Sequence, residues 1–115
     1  MAGPTLSALA NLLLVKLQVR DKADPALAAG NPDFDVAVQK IRAAHGVFKA
    51  ENLVRWTLED IPEDVQEAYV MMGAALGAED FSAAAPNPAW PQMAMRLVQA
   101  YVHIPSRQGH SYVDY

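Results

Sequence analysis

A chain of 115 residues with 52% apolar composition, a formal charge of −4 and no cysteine supports a single domain with its own core. The missing cysteines exclude disulfides and thiolate chemistry and fit a reducing compartment. The longest near-apolar runs, Leu6–Val15 and Ala68–Ala78, are too short to span a bilayer, and no basic stretch precedes the first to make a signal peptide, so a soluble, unprocessed chain is expected.

Four helical patterns follow one another. The first runs from Leu6 to Val19, started by the Pro4-Thr5 pair, with Leu6, Leu9, Leu13 and Leu17 on one face and Ala10 and Leu14 beside them. Asp21–Gly30 reads as a loop with an Asp24-Pro25 turn signal and Ala-rich filler that could hold a helical turn. Asn31 is a good N-cap for the second helix, with Pro32 at its first position and Asp33 and Asp35 in its first turn. Its apolar stripe is Phe34, Val38, Ile41, Ala44 and Phe48, and it ends near Glu51 or Asn52. Val54, Trp56 and Leu58 then alternate with Arg55 and Thr57, a strand-like pattern too short for a sheet.

The third helix spans Ile61–Phe81, with Pro62 at its first helical position and Glu63, Asp64 and Glu67 complementing the positive N-terminus. Val65, Tyr69, Met72 and Leu76 make its expected apolar face, while Gly73 and Gly77, four apart, would let another backbone approach closely. Ser82–Pro88 reads as a linker in which Asn87 caps a fourth helix with Pro88 at its first position. Trp90, Ala94, Leu97 and Tyr101 form that helix's face, and Pro105 closes it. The expected architecture is all-α: a small four-helix domain over residues 1–104 and an extended C-terminal arm, Pro105–Tyr115, with no helical period. No internal repeat is present.

Charge is unevenly spread. From Trp56 to Met95 there is no Lys or Arg, while Glu59, Asp60, Glu63, Asp64, Glu67, Glu79 and Asp80 are all negative; the rest of the chain carries nine basic and six acidic residues. Such a run is ordinarily a solvated face. Read more sharply, it gives a molecule with an acidic and a basic side, which suits head-to-tail contacts between identical subunits. It argues against tight duplex DNA binding, which needs clustered cations, and no helix presents the basic face of a helix-turn-helix DNA reader.

Catalytic patterns are missing from the sequence. His45, His103 and His110 have no ligand-like spacing, and His45 reads as a boundary residue of the second helix. Asp33 and Asp35 point apart on a helix start, and no Glu-x-x-His pair, Gly-rich phosphate loop or nucleophile elbow occurs. The expectation is no enzyme, no metal and no cofactor. Phe34, Phe48, Tyr69, Trp90 and Tyr101 fall at helical spacing and read as core. Tyr112, Val113 and Tyr115 lie on the arm, which reads either as a frayed end or as a segment with anchors for a partner.

The order of these elements resembles a known family. Leu6-Ser-Ala-Leu-Ala-Asn-Leu-Leu-Leu14 is followed by a loop, by Asn31-Pro-Asp-Phe-Asp-Val-Ala-Val-Gln-Lys-Ile-Arg42 and by Val47-Phe-Lys-Ala-Glu51. Trp56 with Thr57-Leu58 precedes Ile61-Pro-Glu-Asp-Val-Gln-Glu-Ala-Tyr-Val70 and its Ala/Gly-rich continuation. Over Leu6–Phe81 this is similar to the head-to-tail adaptor (head completion, or connector) proteins of tailed bacteriophages, especially the short-tailed kind. Asn52–Asp60 is too short for the β-rich insertion that family members often carry, and in this the chain is similar to the small adaptors of long-tailed phages.

The resemblance implies a structural virion protein of the phage neck, assembled in the host cytoplasm into a homo-oligomeric ring of about twelve copies. Its implied partners are itself, the portal protein and a tail or nozzle protein, with DNA passing through the channel without specific binding. The arm, with Tyr112, Val113 and Tyr115, would reach the portal, while Glu63, Asp64 and Glu67 would line the channel or meet the next subunit. The alternative, from another class, is a small helical interaction or regulatory module that binds a partner through its C-terminal tail.

Overall fold

The computed structural model describes residues 4–81 and 87–102. It contains four α-helices, α1 (Pro4–Lys16), α2 (Pro32–Ala50), α3 (Glu63–Gly77) and α4 (Trp90–Val102), with single 3₁₀ turns at Leu58–Asp60 and Glu79–Phe81. No strand occurs among the described residues, so the alternation around Trp56 belongs to a connection. None of the described helices is long and apolar enough to cross a membrane.

Each helix boundary has a local cause. The first helix stops at Lys16, short of the expected Val19, because Gln18 takes the left-handed conformation (φ 63°). The chain then folds back, with Val19 N–H and Arg20 N–H both donating to the Leu14 carbonyl at 2.9 and 3.3 Å. Asn31 caps α2 as its sequence indicates, its Oδ1 accepting from Asp33 N–H and Phe34 N–H at 3.0 and 3.2 Å. At the other end Asn52 (φ 60°) reverses the chain, and Leu53 N–H donates to the Phe48 carbonyl at 3.1 Å.

Two expected starts are corrected. Pro62 is the residue before α3 (φ −58°, ψ 140°), not its first helical residue; Gln66 reaches back to donate to the Ile61 carbonyl at 3.1 Å. Asn87 does not cap α4. Its side chain closes a local turn by accepting from Ala89 N–H at 2.9 Å, and α4 starts at Trp90, where Met93 N–H reaches the Ala89 carbonyl. Nor does the Ala-rich stretch before Gly30 form a helix. Instead Asp21 and Asp24 build interlocking turns at 21–24, and Arg20 donates from Nη2 to the Asp24 carbonyl (2.6 Å) and from Nε to the Pro25 carbonyl (3.2 Å).

The core explains why α3 buries more residues than any other helix among the described residues. It packs against α1, α2 and α4 at once, so its buried residues run nearly all round: Val65, Ala68, Tyr69, Val70, Met71, Met72, Gly73, Ala74 and Gly77. Between Ala68 and Ala74 every residue of this central helix is buried, and its exposed residues lie toward the two ends. Around it, α1 buries Leu6, Leu9, Ala10, Leu13 and Leu14, and α2 buries Phe34, Ala37, Ile41, Ala44 and Phe48. On α4 only Ala94 and Val98 are fully covered, with Trp90, Leu97 and Tyr101 packed at the margin. Leu76 departs from its expected place in the core: it is 41% exposed. At that level the buried side of α3 is taken by Gly73, Ala74 and Gly77, which turns Leu76 outward.

The glycines do what their spacing indicates. A Cβ at Gly73 would stand 2.8 Å from Leu13 Cδ1, 3.2 Å from Ile41 Cδ1 and 3.4 Å from the Lys40 carbonyl oxygen. At Gly77 it would meet Lys40 Cγ at 2.9 Å. Three helices therefore converge on Gly73, and α2 runs against α3 as closely as the missing side chains allow.

Candidate interaction surface

The α3 head carries the acidic residues singled out by the sequence. Glu63 and Asp64 are exposed, as are Glu59 and Asp60 in the turn that precedes them. Glu67, one turn further along α3, is drawn into a different setting: its Oε2 lies 3.0 Å from Lys16 Nζ, at the C-terminal end of α1. The same ammonium sits 5.3 Å from the centroid of the Trp90 ring on α4, so Lys16 ties three helices together. With Glu67 57% exposed and Lys16 26%, the ion pair contributes at most about 1 kcal/mol. Asp80 is likewise engaged, 3.0 Å from Lys40 Nζ on α2. Part of the acidic stretch thus meets cations from α1 and α2, and four exposed acidic residues, Glu59, Asp60, Glu63 and Asp64, lie around the start of α3. Arg42 and Lys49 are exposed on α2.

Tyr112, Val113 and Tyr115, together with His103 and His110, lie outside the described residues. Among the described residues, no group of three or more His, Asp or Glu side chains is placed to hold a metal ion.

A buried polar cluster, which the sequence did not announce, lies between α2, α3 and the connection joining them. Tyr69 is 0% exposed, yet its hydroxyl lies 2.6 Å from His45 Nδ1 and accepts from Trp56 Nε1–H at 2.9 Å. An indole N–H can only donate, so the hydroxyl proton is left for His45. In the Nε2–H tautomer of neutral His45, Nδ1 accepts that proton. Burial pushes the Tyr69 hydroxyl up to about 12, opposed by the bond from Trp56. Burial also lowers the His45 pKa, with Lys49 adding to the effect. Phe48 meets the Tyr69 ring edge-on at 5.1 Å, and Trp56 meets Tyr101 of α4 edge-on at 5.8 Å. A phenol so enclosed has no path to a substrate. What this cluster does is join α2, α3, α4 and the 51–61 connection.

Asn11 is the buried polar residue of α1. Its Oδ1 accepts from Leu27 N–H at 2.8 Å, while its Nδ2 donates to the Leu27 and Ser7 carbonyls at 3.1 and 3.0 Å. That clamp shapes an open cleft of about 490 Å³ lined by Ser7, Ala8, Asn11, Leu27, Phe34 and neighbouring alanines. With its polar atoms committed to the loop, the cleft is walled mainly by small apolar groups.

Compared with protein-family models, with curated proteins and with solved structures, the chain matches none.

Proposed function

We propose that this protein is a structural head-to-tail adaptor of a tailed phage, assembling into a ring that joins portal to tail and continues the DNA channel. The observation that carries the reading is the outward acidic head of α3, Glu63 and Asp64 beside Glu59 and Asp60, on a bundle whose exposed cations include Arg42 and Lys49 on α2, Arg55 on the connection and Arg96 on α4. Surfaces of opposite sign on one subunit favour heterologous contacts, which close into a ring when the rotation allows. An acidic surface turned to a channel would also let DNA slide without being held. The arm, with Tyr112, Val113 and Tyr115, is assigned to the portal contact, and Glu67 contributes to the subunit surface through its partner Lys16.

The test is the mass of the full chain, alone and on portal-bearing heads, by analytical ultracentrifugation and co-sedimentation. A closed ring is expected, alone or on the portal, and Glu63→Lys with Asp64→Lys weakens it while leaving the helical circular dichroism unchanged. Deleting residues after Ile104 is expected to abolish attachment to the portal. A chain that stays monomeric at all concentrations and ignores portal-bearing heads would overturn the reading in favour of a small interaction module.

A further inference from the structure

The Tyr69 hydroxyl takes part in two hydrogen bonds that together satisfy its ring neighbours. It accepts from Trp56 Nε1–H and, with His45 as the Nε2–H tautomer, donates to Nδ1 2.6 Å away. This arrangement needs a lone pair on Nδ1. A proton arriving from solvent would occupy that lone pair, because Nε2 already carries the other ring proton. The new Nδ1–H would then point at the hydroxyl oxygen from the same position, and the Tyr69 O–H would be left in the core without the acceptor it had in His45. A buried hydroxyl in that state is costly, and the conflict is relieved by withdrawing Trp56 or His45.

We propose that His45, Tyr69 and Trp56 form a proton-operated latch. With His45 neutral, the latch ties the 51–61 connection to the core and, through Trp56 against Tyr101, to the C-terminal end of α4. With His45 protonated, it opens. Both ends of the device are placed for this. His45 is half-buried, so protons reach it, whereas Tyr69 is sealed. Trp56 is half-buried, on a segment without regular secondary structure, and can leave without dismantling a helix.

The groups facing the His45 ring reinforce the effect. From α3 comes Tyr69, which stays protonated; from the connection comes Trp56, which does not titrate; from its own helix comes Lys49. Arg42, one turn before it on α2, is exposed. The neighbouring charges are cationic and oppose the imidazolium. The folded state therefore binds this proton less readily than the unfolded chain does. The stabilisation is complete above the ordinary histidine value of 6.5 and is lost as pH falls through the lowered value in the fold.

The device does not depend on ring formation or on any partner, so it stands or falls separately from the adaptor reading. The experiment is an NMR titration of the full chain between mildly alkaline and mildly acidic pH. It follows the His45 ring nitrogens, the Trp56 indole N–H and the Tyr101 ring protons. At high pH, His45 is expected as the Nε2–H tautomer. Lowering the pH should move the Trp56 and Tyr101 signals with the His45 midpoint. Protection of the Trp56 indole N–H, corrected for intrinsic exchange, should fall about tenfold, the scale set by one unsatisfied buried hydroxyl. His45→Asn, which keeps an acceptor near Nδ1 but cannot be protonated, should make both signals flat across the range. Should that variant fail to fold, Tyr69→Phe serves instead: without the hydroxyl, Trp56 should be poorly protected at every pH. Trp56 signals that ignore the His45 midpoint, or a pH dependence that persists in either variant, would overturn the latch.

Discussion

The two ends of the α2–α3 contact are held by opposite means. At the end near Gly73 and Gly77, side chains are absent and the helices meet through aliphatic groups and the Lys40 backbone. At the end near Tyr69, side chains are large and the contact is made by rings and two hydrogen bonds to one oxygen. The first end is specified mainly by shape, with the partly exposed Lys40–Asp80 ion pair at its edge. The second is specified by donors and acceptors, and a single proton changes its accounts. One helix pair can therefore be rigid at one end and conditional at the other.

The comparison can be broken most severely at Gly73. Replacing it by Val puts a branched side chain against Leu13, Ile41 and the Lys40 carbonyl, and only the first two can yield. Overpacking of this kind is expected to cost about 3 kcal/mol, at the upper end for added core volume, read as a shift in the denaturant midpoint. A loss below about 1 kcal/mol would mean that the convergence of three helices there is loose. At the other end, Tyr69→Phe keeps the ring against Phe48 but removes the shared oxygen. The expected cost is about 1–2 kcal/mol, because Trp56 and His45 are half-buried and can recover part of their bonding from water. Its sharper signature is a Trp56 indole N–H that is poorly protected at every pH, since its acceptor is gone. Gly77→Ala should have the smallest effect. The added methyl meets Lys40 at Cγ, near the root of a side chain paired with Asp80, and the cost of moving it is offset by a helix-propensity gain of at most about 1 kcal/mol at this last helical position. The expected change is within about 0.5 kcal/mol, with the Lys40–Asp80 pair perturbed in an NMR spectrum.

Sequence reading succeeded where local rules and burial agree. The leucine face of α1, the Asn31 cap and the small-residue seam of α3 are each written in neighbouring residues, and each is present. It failed where tertiary placement decides. Leu76 lies on the helical stripe with Val65, Tyr69 and Met72, but the approach of α2 at the glycines takes the buried side away from it. Asn87 and Pro88 have the chemistry of a helix start, yet the Asn side chain spends its acceptor on Ala89, and the helix waits until Trp90. The polar cluster was invisible for another reason. His45 and Trp56 are eleven positions apart, and Tyr69 a further thirteen from Trp56; no periodicity links them. An apolar-face tyrosine with a half-polar histidine on the preceding helix is the only hint the chain offers. The acidic head was legible as charge, but the capture of Glu67 by Lys16 was not, since it depends on α1 meeting α3 in space.

Asn11 has a consequence for how this chain tolerates change. Its amide grips both backbone groups of Leu27, and Arg20 with the two aspartates holds the bend at 21–25. The loop is thereby stapled twice, with Lys22 and Ala23 left exposed at its tip. Lengthening a loop whose ends are independently held adds little closure entropy, growing only with the logarithm of its length. An epitope or fluorescent label inserted at the Lys22–Ala23 bond would open the Asp21–Asp24 turn but leave the Asn11 grip on Leu27, so neither the Asn31 cap nor the leucine face of α1 would register the added residues.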